Sequence, residues 1–161
     1  MTTTTGRVDG AALASCTVGG LDATDAILDL WASLDREDIR YVFVSGVAPA
    51  WYNLLDMSRL AETIPVPMLV LSYEASEGLE SAIREAFDGH ELARRLERYR
   101  ALPDRSTVAL EDRTIYVRNV DRTVLGLSAI LGTYTVEGGR PEPVRVARFF
   151  ARAGDSWDRS R

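Results

Sequence analysis

The chain is 161 residues long, 46% hydrophobic and 27% charged, with a formal net charge of −5. That suits one soluble globular domain. Cys16 is the only cysteine and His90 the only histidine, which excludes an internal disulfide and a four-ligand Cys/His zinc site. No apolar run approaches the ~20 residues that span a bilayer, and no signal peptide opens the chain. A cytoplasmic protein with no membrane partner is expected.

The charge is uneven. All 19 basic residues are arginine, and neither lysine nor glutamine occurs. High-GC coding or life in high salt would produce that composition. Residues 1–80 carry a net −8 and residues 81–161 a net +3. Such asymmetry points to an anionic partner for the second half, or to solvated helix faces.

In chain order, residues 1–10 read as a disordered N-terminal segment, 11–153 as a single domain and 154–161 as a flexible tail. Ala11–Val18 is small, apolar and strand-compatible, and Gly19-Gly20 stops it. Asp22–Leu34 predicts a helix with Ile27, Leu30, Trp31 and Leu34 on one stripe. Tyr41–Val44 predicts a strand buried on both faces, as in a parallel sheet. Asn53–Thr63 predicts a helix, ended by Pro65 and Pro67. Met68–Leu71 is a second buried strand. Ser76–Phe87 and Glu91–Arg100 predict two helices. Thr107–Leu110 and Thr114–Val117 form a hairpin around Glu111-Asp112. Arg122–Leu131 is weakly helical, and Val144–Ala153 is a final helix whose start Pro141 and Pro143 mark. The alternation predicts an α/β fold with a largely parallel central sheet. Sites in such sheets lie at the carboxyl ends of strands.

Two strand exits therefore hold the candidate chemistry. Asp22, after Gly19-Gly20, has the oxygen chemistry of a Mg²⁺ ligand or serves as a helix N-cap. Ser45 ends a buried strand, but Phe43 occupies the first glycine position of the G-x-S-x-G elbow. No phosphate loop of either glycine-rich type is present. Cys16 reads as a buried small hydrophobe. Trp51, Tyr52 and Asn53 follow the Ser45 exit, where aromatics stack on bases or simply pack. Asp56 lies three residues beyond Asn53, so the two would share a helix face. Arg145, Arg148 and Arg152 share one face of the last helix, preceded by Arg140. That stripe suits phosphate binding or complements the helix dipole.

Several stretches together resemble one family. They are Gly20-Leu21-Asp22-Ala23-Thr24, Ser45-Gly46-Val47 running to Tyr52-Asn53-Leu54-Leu55-Asp56, Gly78-Leu79-Glu80-Ser81-Ala82-Ile83-Arg84, and Gly139-Arg140-Pro141-Glu142-Pro143-Val144-Arg145-Val146-Ala147. In order and spacing they are similar to the archaeal DUF-ninety-nine family, endonuclease dU, a relative of endonuclease V. The absence of lysine resembles a haloarchaeal member. The resemblance implies an RNase H-like three-layer fold and a magnesium-dependent nuclease acting on deaminated, uracil-containing DNA. It implies Asp22 as metal ligand, and Asp22 and Ser45 as catalytic residues. It also implies Tyr52, Asn53, Arg140, Arg145 and Arg148 on the nucleic acid (DNA rather than RNA), and Asp56 as a further polar site residue.

The chain also departs from the family. Relatives open on a strand with a Gly-Ile-Asp-Asp-Gly-like motif, where this chain has Met1-Thr2-Thr3-Thr4-Thr5-Gly6. Gly19 stands where Asp is frequent, Ser45 where an acid or other polar group is frequent, and Trp51 where relatives are small. These departures keep a non-catalytic nucleic-acid-binding or regulatory module open as the alternative. A missing first strand would leave a sheet edge unpaired and favour association, a homodimer included.

Overall fold

A computed structural model of the chain describes residues 1–110, 113–120, 124–136 and 138–158, the side chain of Asp158 excepted. The elements are α1 (Ala23–Leu34), β1 (Val42–Ser45), α2 (Met57–Thr63), β2 (Met68–Ser72), α3 (Glu80–Ala86), α4 (Gly89–Arg100), β3 (Arg105–Leu110), β4 (Arg113–Arg118), α5 (Leu127–Tyr134) and α6 (Glu142–Asp158).

The four strands form one sheet in the order β1-β2-β4-β3. Only β1 and β2 run parallel, Val42 opposite Met68 through Ser45 opposite Leu71. β4 is antiparallel to both β2 and β3. The sheet is therefore mixed rather than largely parallel. The short β3–β4 connection returns the chain directly, and a hairpin is antiparallel by construction. β1 is an edge strand, and its residues are half-buried or exposed rather than covered on both faces. The full burial expected of it belongs to β2, where Met68–Leu71 are all buried.

Two clusters sandwich the sheet. On one face Met68 and Val70 pack with Ala23 of α1 and with Met57 and Leu60 of α2. On the other, Leu69, Leu71, Val108, Ile115 and Val117 pack with Leu131 of α5 and Val144 of α6. Alternate strand residues point to opposite faces, which is why neighbours along β2 serve different clusters. A third cluster joins Leu54 to Ile83 of α3 and Leu96 of α4.

The first three helices start later than the sequence expectation, whereas β2, α4, β3, β4 and α6 extend beyond it. Residues 11–18 form no strand, because Thr17 binds locally instead: its carbonyl accepts from Gly20 N–H at 3.0 Å, and its own N–H reaches Asp22. Cys16 consequently sits half-exposed in a loop. α2 starts at Met57, not Asn53, because the extended Asp56 caps it by accepting from Arg59 N–H at 3.0 Å. Asn53 and Asp56 therefore share no helix face. α3 starts at Glu80. α5 follows Gly126, whose φ of +71° interrupts any earlier helix. Of the expected Arg122–Leu131 helix, residues 121–123 lie outside the described residues, as does the Glu111-Asp112 turn. α6 runs on past Ala153 through Asp158, with Gly154 lying against Leu13. Residues 1–10 hold one β-bridge, Thr2 with Val8. Among the described residues no helix is long and apolar enough to cross a membrane.

Candidate functional site

The loop before α1 and the loop after β1 meet around Asn53. Asn53 is fully buried, and its amide is used at both ends. Oδ1 accepts from Ala23 N–H at 2.9 Å, while Nδ2 donates to the Thr17 carbonyl at 2.8 Å and to Asp22 Oδ1 at 2.6 Å. Asn53 is thus a bracket between two loops, with no polar group left to face nucleic acid.

Asp22 stands at the N-cap position of α1 but makes no side-chain cap bond. Its carboxylate turns back instead, accepting from Thr17 N–H at 3.1 Å and from Thr17 Oγ1 at 2.8 Å. The Asn53 hydrogen bond, then those of Thr17, hold its carboxyl below the usual carboxylate range. Thr24, buried two residues on, accepts from Asp56 N–H at 2.9 Å and ties α1 to α2.

Arginines of α4 close the same junction from below. Arg95, 2% exposed, donates to the Gly19 carbonyl, pairs with Glu91 and lies 3.9 Å from the Phe87 ring centroid. Arg98 donates to the Leu21 carbonyl at 3.1 Å and the Leu54 carbonyl at 3.2 Å. Sequence reasoning missed both, reading α4 only as arginine-rich. The available signal was a charged side chain at Arg95, on the helix face shared with Leu92 and Leu96.

Trp51 and Tyr52 both adopt left-handed backbone, with φ of +43° and +60°. That conformation costs roughly 1–2 kcal/mol per L-residue. Tyr52 packs edge-on against Phe87 at 5.7 Å and belongs to the third cluster, a packing role. Trp51 is 56% exposed. A β-carbon placed on Gly19 would lie 2.8 Å from the Trp51 ring. The indole therefore fills the space that a side chain at position 19 would need.

Magnesium needs carboxylate oxygens with open lone pairs. Asp22 has both oxygens engaged by Thr17 and Asn53, and the indole over Gly19 excludes an acid there. Among the described residues no group of three His, Cys, Asp or Glu side chains could hold a metal ion. The described residues around Asp22 therefore do not fit a magnesium site. Ser45 is exposed at the end of β1, and no hydrogen bond joins it to Asp22. The Cys16 thiol is pushed up by burial, then by Asp22, which makes it a poor nucleophile.

The arginines lie elsewhere. Arg140 lies 4.5 Å from the Tyr73 ring centroid. On α6, Arg145 pairs with Glu142 and holds that carboxyl below its usual range. Arg148 and Arg152 are exposed, and no carboxylate pairs with them among the described residues. Asp22 and Asn53 thus come together, no hydrogen bond joins Ser45 to them, and Arg145, Arg148 and Arg152 lie exposed on α6.

Residues 1–154 match the family model for Endonuclease dU. A UPF0215 protein from Pyrobaculum calidifontis is 31% identical over 150 residues, covering 91% of this chain and 80% of its own. One from Pyrococcus horikoshii is 28% identical over 139 residues, covering 85% and 70%. A crystal structure from Archaeoglobus fulgidus, of a protein of unknown function, superposes with a TM-score of 0.73 at 24% identity, covering 92% of this chain and 83% of that one.

Proposed function

The chain belongs to the endonuclease dU family, and on that premise we propose that it binds damaged, uracil-containing DNA on an RNase H-like scaffold. The observation that carries this reading is the exposed arginine face of α6, where Arg148 and Arg152 have no carboxylate partner among the described residues. Arginine presents a planar fork matched to phosphate oxygens. Binding, rather than cleavage, is the reading the geometry supports. Metal-dependent phosphodiester hydrolysis needs an ion between open carboxylates, and Asp22 is engaged within the chain.

The test is a titration of labelled uracil-containing DNA, with and without EDTA. Binding is expected to survive chelation and to weaken linearly in log–log form as salt rises, since phosphate contacts release counterions. Magnesium-dependent nicking that Asp22→Ala abolishes would instead establish the hydrolytic reading. Binding that ignores salt would remove the arginine face as its cause.

A further inference from the structure

The β3–β4 pair places two arginines where a sheet tolerates them least. Arg105 and Arg118 are direct cross-strand partners. The β-carbons of such partners lie about 4.5–5.5 Å apart, and like charges there are destabilising. Val108, Ile115 and Val117 point into the core. By alternation, the opposite face of the hairpin carries Arg105, Thr107 and Ala109 from β3, and Thr114, Tyr116 and Arg118 from β4. None of these six is acidic. Thr107, Ala109 and Thr114 are exposed. Helices α1 and α2 cover this face only over the β1–β2 half, through Met68 and Val70.

Each guanidinium is fixed without being neutralised. Arg105 donates to the Ser76 carbonyl at 2.8 Å and lies 4.3 Å from the Tyr116 ring centroid. Arg118 donates to the Pro103 carbonyl. Among the described residues neither has a carboxylate partner. Two half-exposed cations on paired strands, held by neutral acceptors among hairpin residues none of which is acidic on that face, suit an anion that bridges them. A stacked guanidinium loses little freedom when it binds, because its position is already set.

We infer that the open face of β3–β4 binds a phosphodiester of a nucleic-acid strand between Arg105 and Arg118, with Tyr116 as the residue that positions Arg105. The inference rests on the nucleic-acid reading above and adds a contact surface on the face of the sheet opposite Val144 of α6.

The experiment uses the full chain and a labelled oligonucleotide, followed by fluorescence anisotropy across a salt series. Arg105→Gln with Arg118→Gln is expected to weaken binding about tenfold and to flatten the salt slope by about 1.5 units, for two lost phosphate contacts. Replacement of both by lysine keeps the charge and is expected to keep most of the slope. Tyr116→Leu is expected to weaken binding about threefold with the slope unchanged, since it removes positioning and not charge. In the absence of nucleic acid and at low salt, the double glutamine variant is expected to melt no lower than the parent, because the cross-strand repulsion is gone. If loss of the Pro103 contact unfolds it, Arg105→Gln alone is decisive, with about half the slope change expected.

Parent affinity and slope in the double variant, alongside weakened binding in Arg145→Gln with Arg148→Gln, would overturn this inference and leave the binding reading intact. No binding by the parent chain to any oligonucleotide would overturn both. Polyglutamate competing as well as DNA of equal charge would reassign the face to acidic polypeptides and overturn the phosphodiester.

Discussion

Replacing Asn53 with alanine should be among the most damaging single changes in the chain outside the apolar core. Asn53 is fully buried, and its three hydrogen bonds reach Ala23, Thr17 and Asp22. The truncation orphans the Ala23 N–H, on a residue only 2% exposed. A buried unpaired donor costs about 1–3 kcal/mol. Thr17 keeps a second bond at its carbonyl, from Gly20 N–H, so its loss is the net worth of one bond, about 0.5–1.5 kcal/mol. Together these give about 3 kcal/mol, before any contribution from the space the amide leaves. For a chain of 161 residues, each kcal/mol lowers Tm by roughly 2–4 °C, so a fall of about 6–12 °C is expected. Urea unfolding should show a lower midpoint with an unchanged slope. A loss under about 1 kcal/mol would refute the bracket role, because an orphaned buried N–H alone exceeds that. Asn53→Asp supplies an internal check. It retains an acceptor for Ala23 but sets a second carboxylate against Asp22, so its destabilisation should grow as pH rises through the carboxylate range.

Further outcomes follow from the same geometry. Gly19→Ala should cost about 1–2 kcal/mol for its left-handed backbone, φ +72°, plus a clash with the indole. In a Trp51→Ala background the clash disappears, so a double-mutant cycle by urea unfolding should show coupling of about 1 kcal/mol or more. Glu80 bridges Arg84 and Arg100, and its carboxyl is held down to about 2, mainly by the Arg100 hydrogen bond and then that of Arg84. A depressed folded value means that its stabilisation is present above the ordinary carboxylate range and lost as pH falls toward 2. Glu80→Gln should flatten the acid limb of a Tm-versus-pH curve between about pH 4.5 and 2. Arg145→Gln with Arg148→Gln should weaken binding to uracil-containing DNA and reduce its salt slope by about 1–2 units, read by anisotropy.

Much of the order of elements was legible in the chain, and the reasons are local. Ile27 and Trp31 repeat at helical spacing, and α1 forms with both packed on its cluster. Met68–Leu71 is a continuous apolar run, and β2 is central and fully buried there. Thr107–Leu110 and Thr114–Val117 pair as a hairpin. The apolar run at Tyr41–Val44 marked a strand equally well but not its place. An edge strand and a central one use the same residues when helices cover part of the edge. Residues 11–18 misled for a related reason: small apolar residues permit extension, but Thr17 bonds to its own loop.

The site shows the division most sharply. Composition and order alone determined an arginine-only basic set, a positively charged second half, the absence of an internal disulfide and a family whose segments recur in sequence. Each of these is a property of residue identity or spacing. Whether Asp22 keeps open lone pairs depends on Asn53, which lies 31 residues away. Whether Gly19 could carry an acid depends on the placement of the Trp51 ring. That Arg105 faces Arg118 depends on strand register, which a shift of one residue would reverse. Those are contacts between distant segments, and only the tertiary structure decides them, because burial and pairing belong to the fold and not to any one stretch of chain.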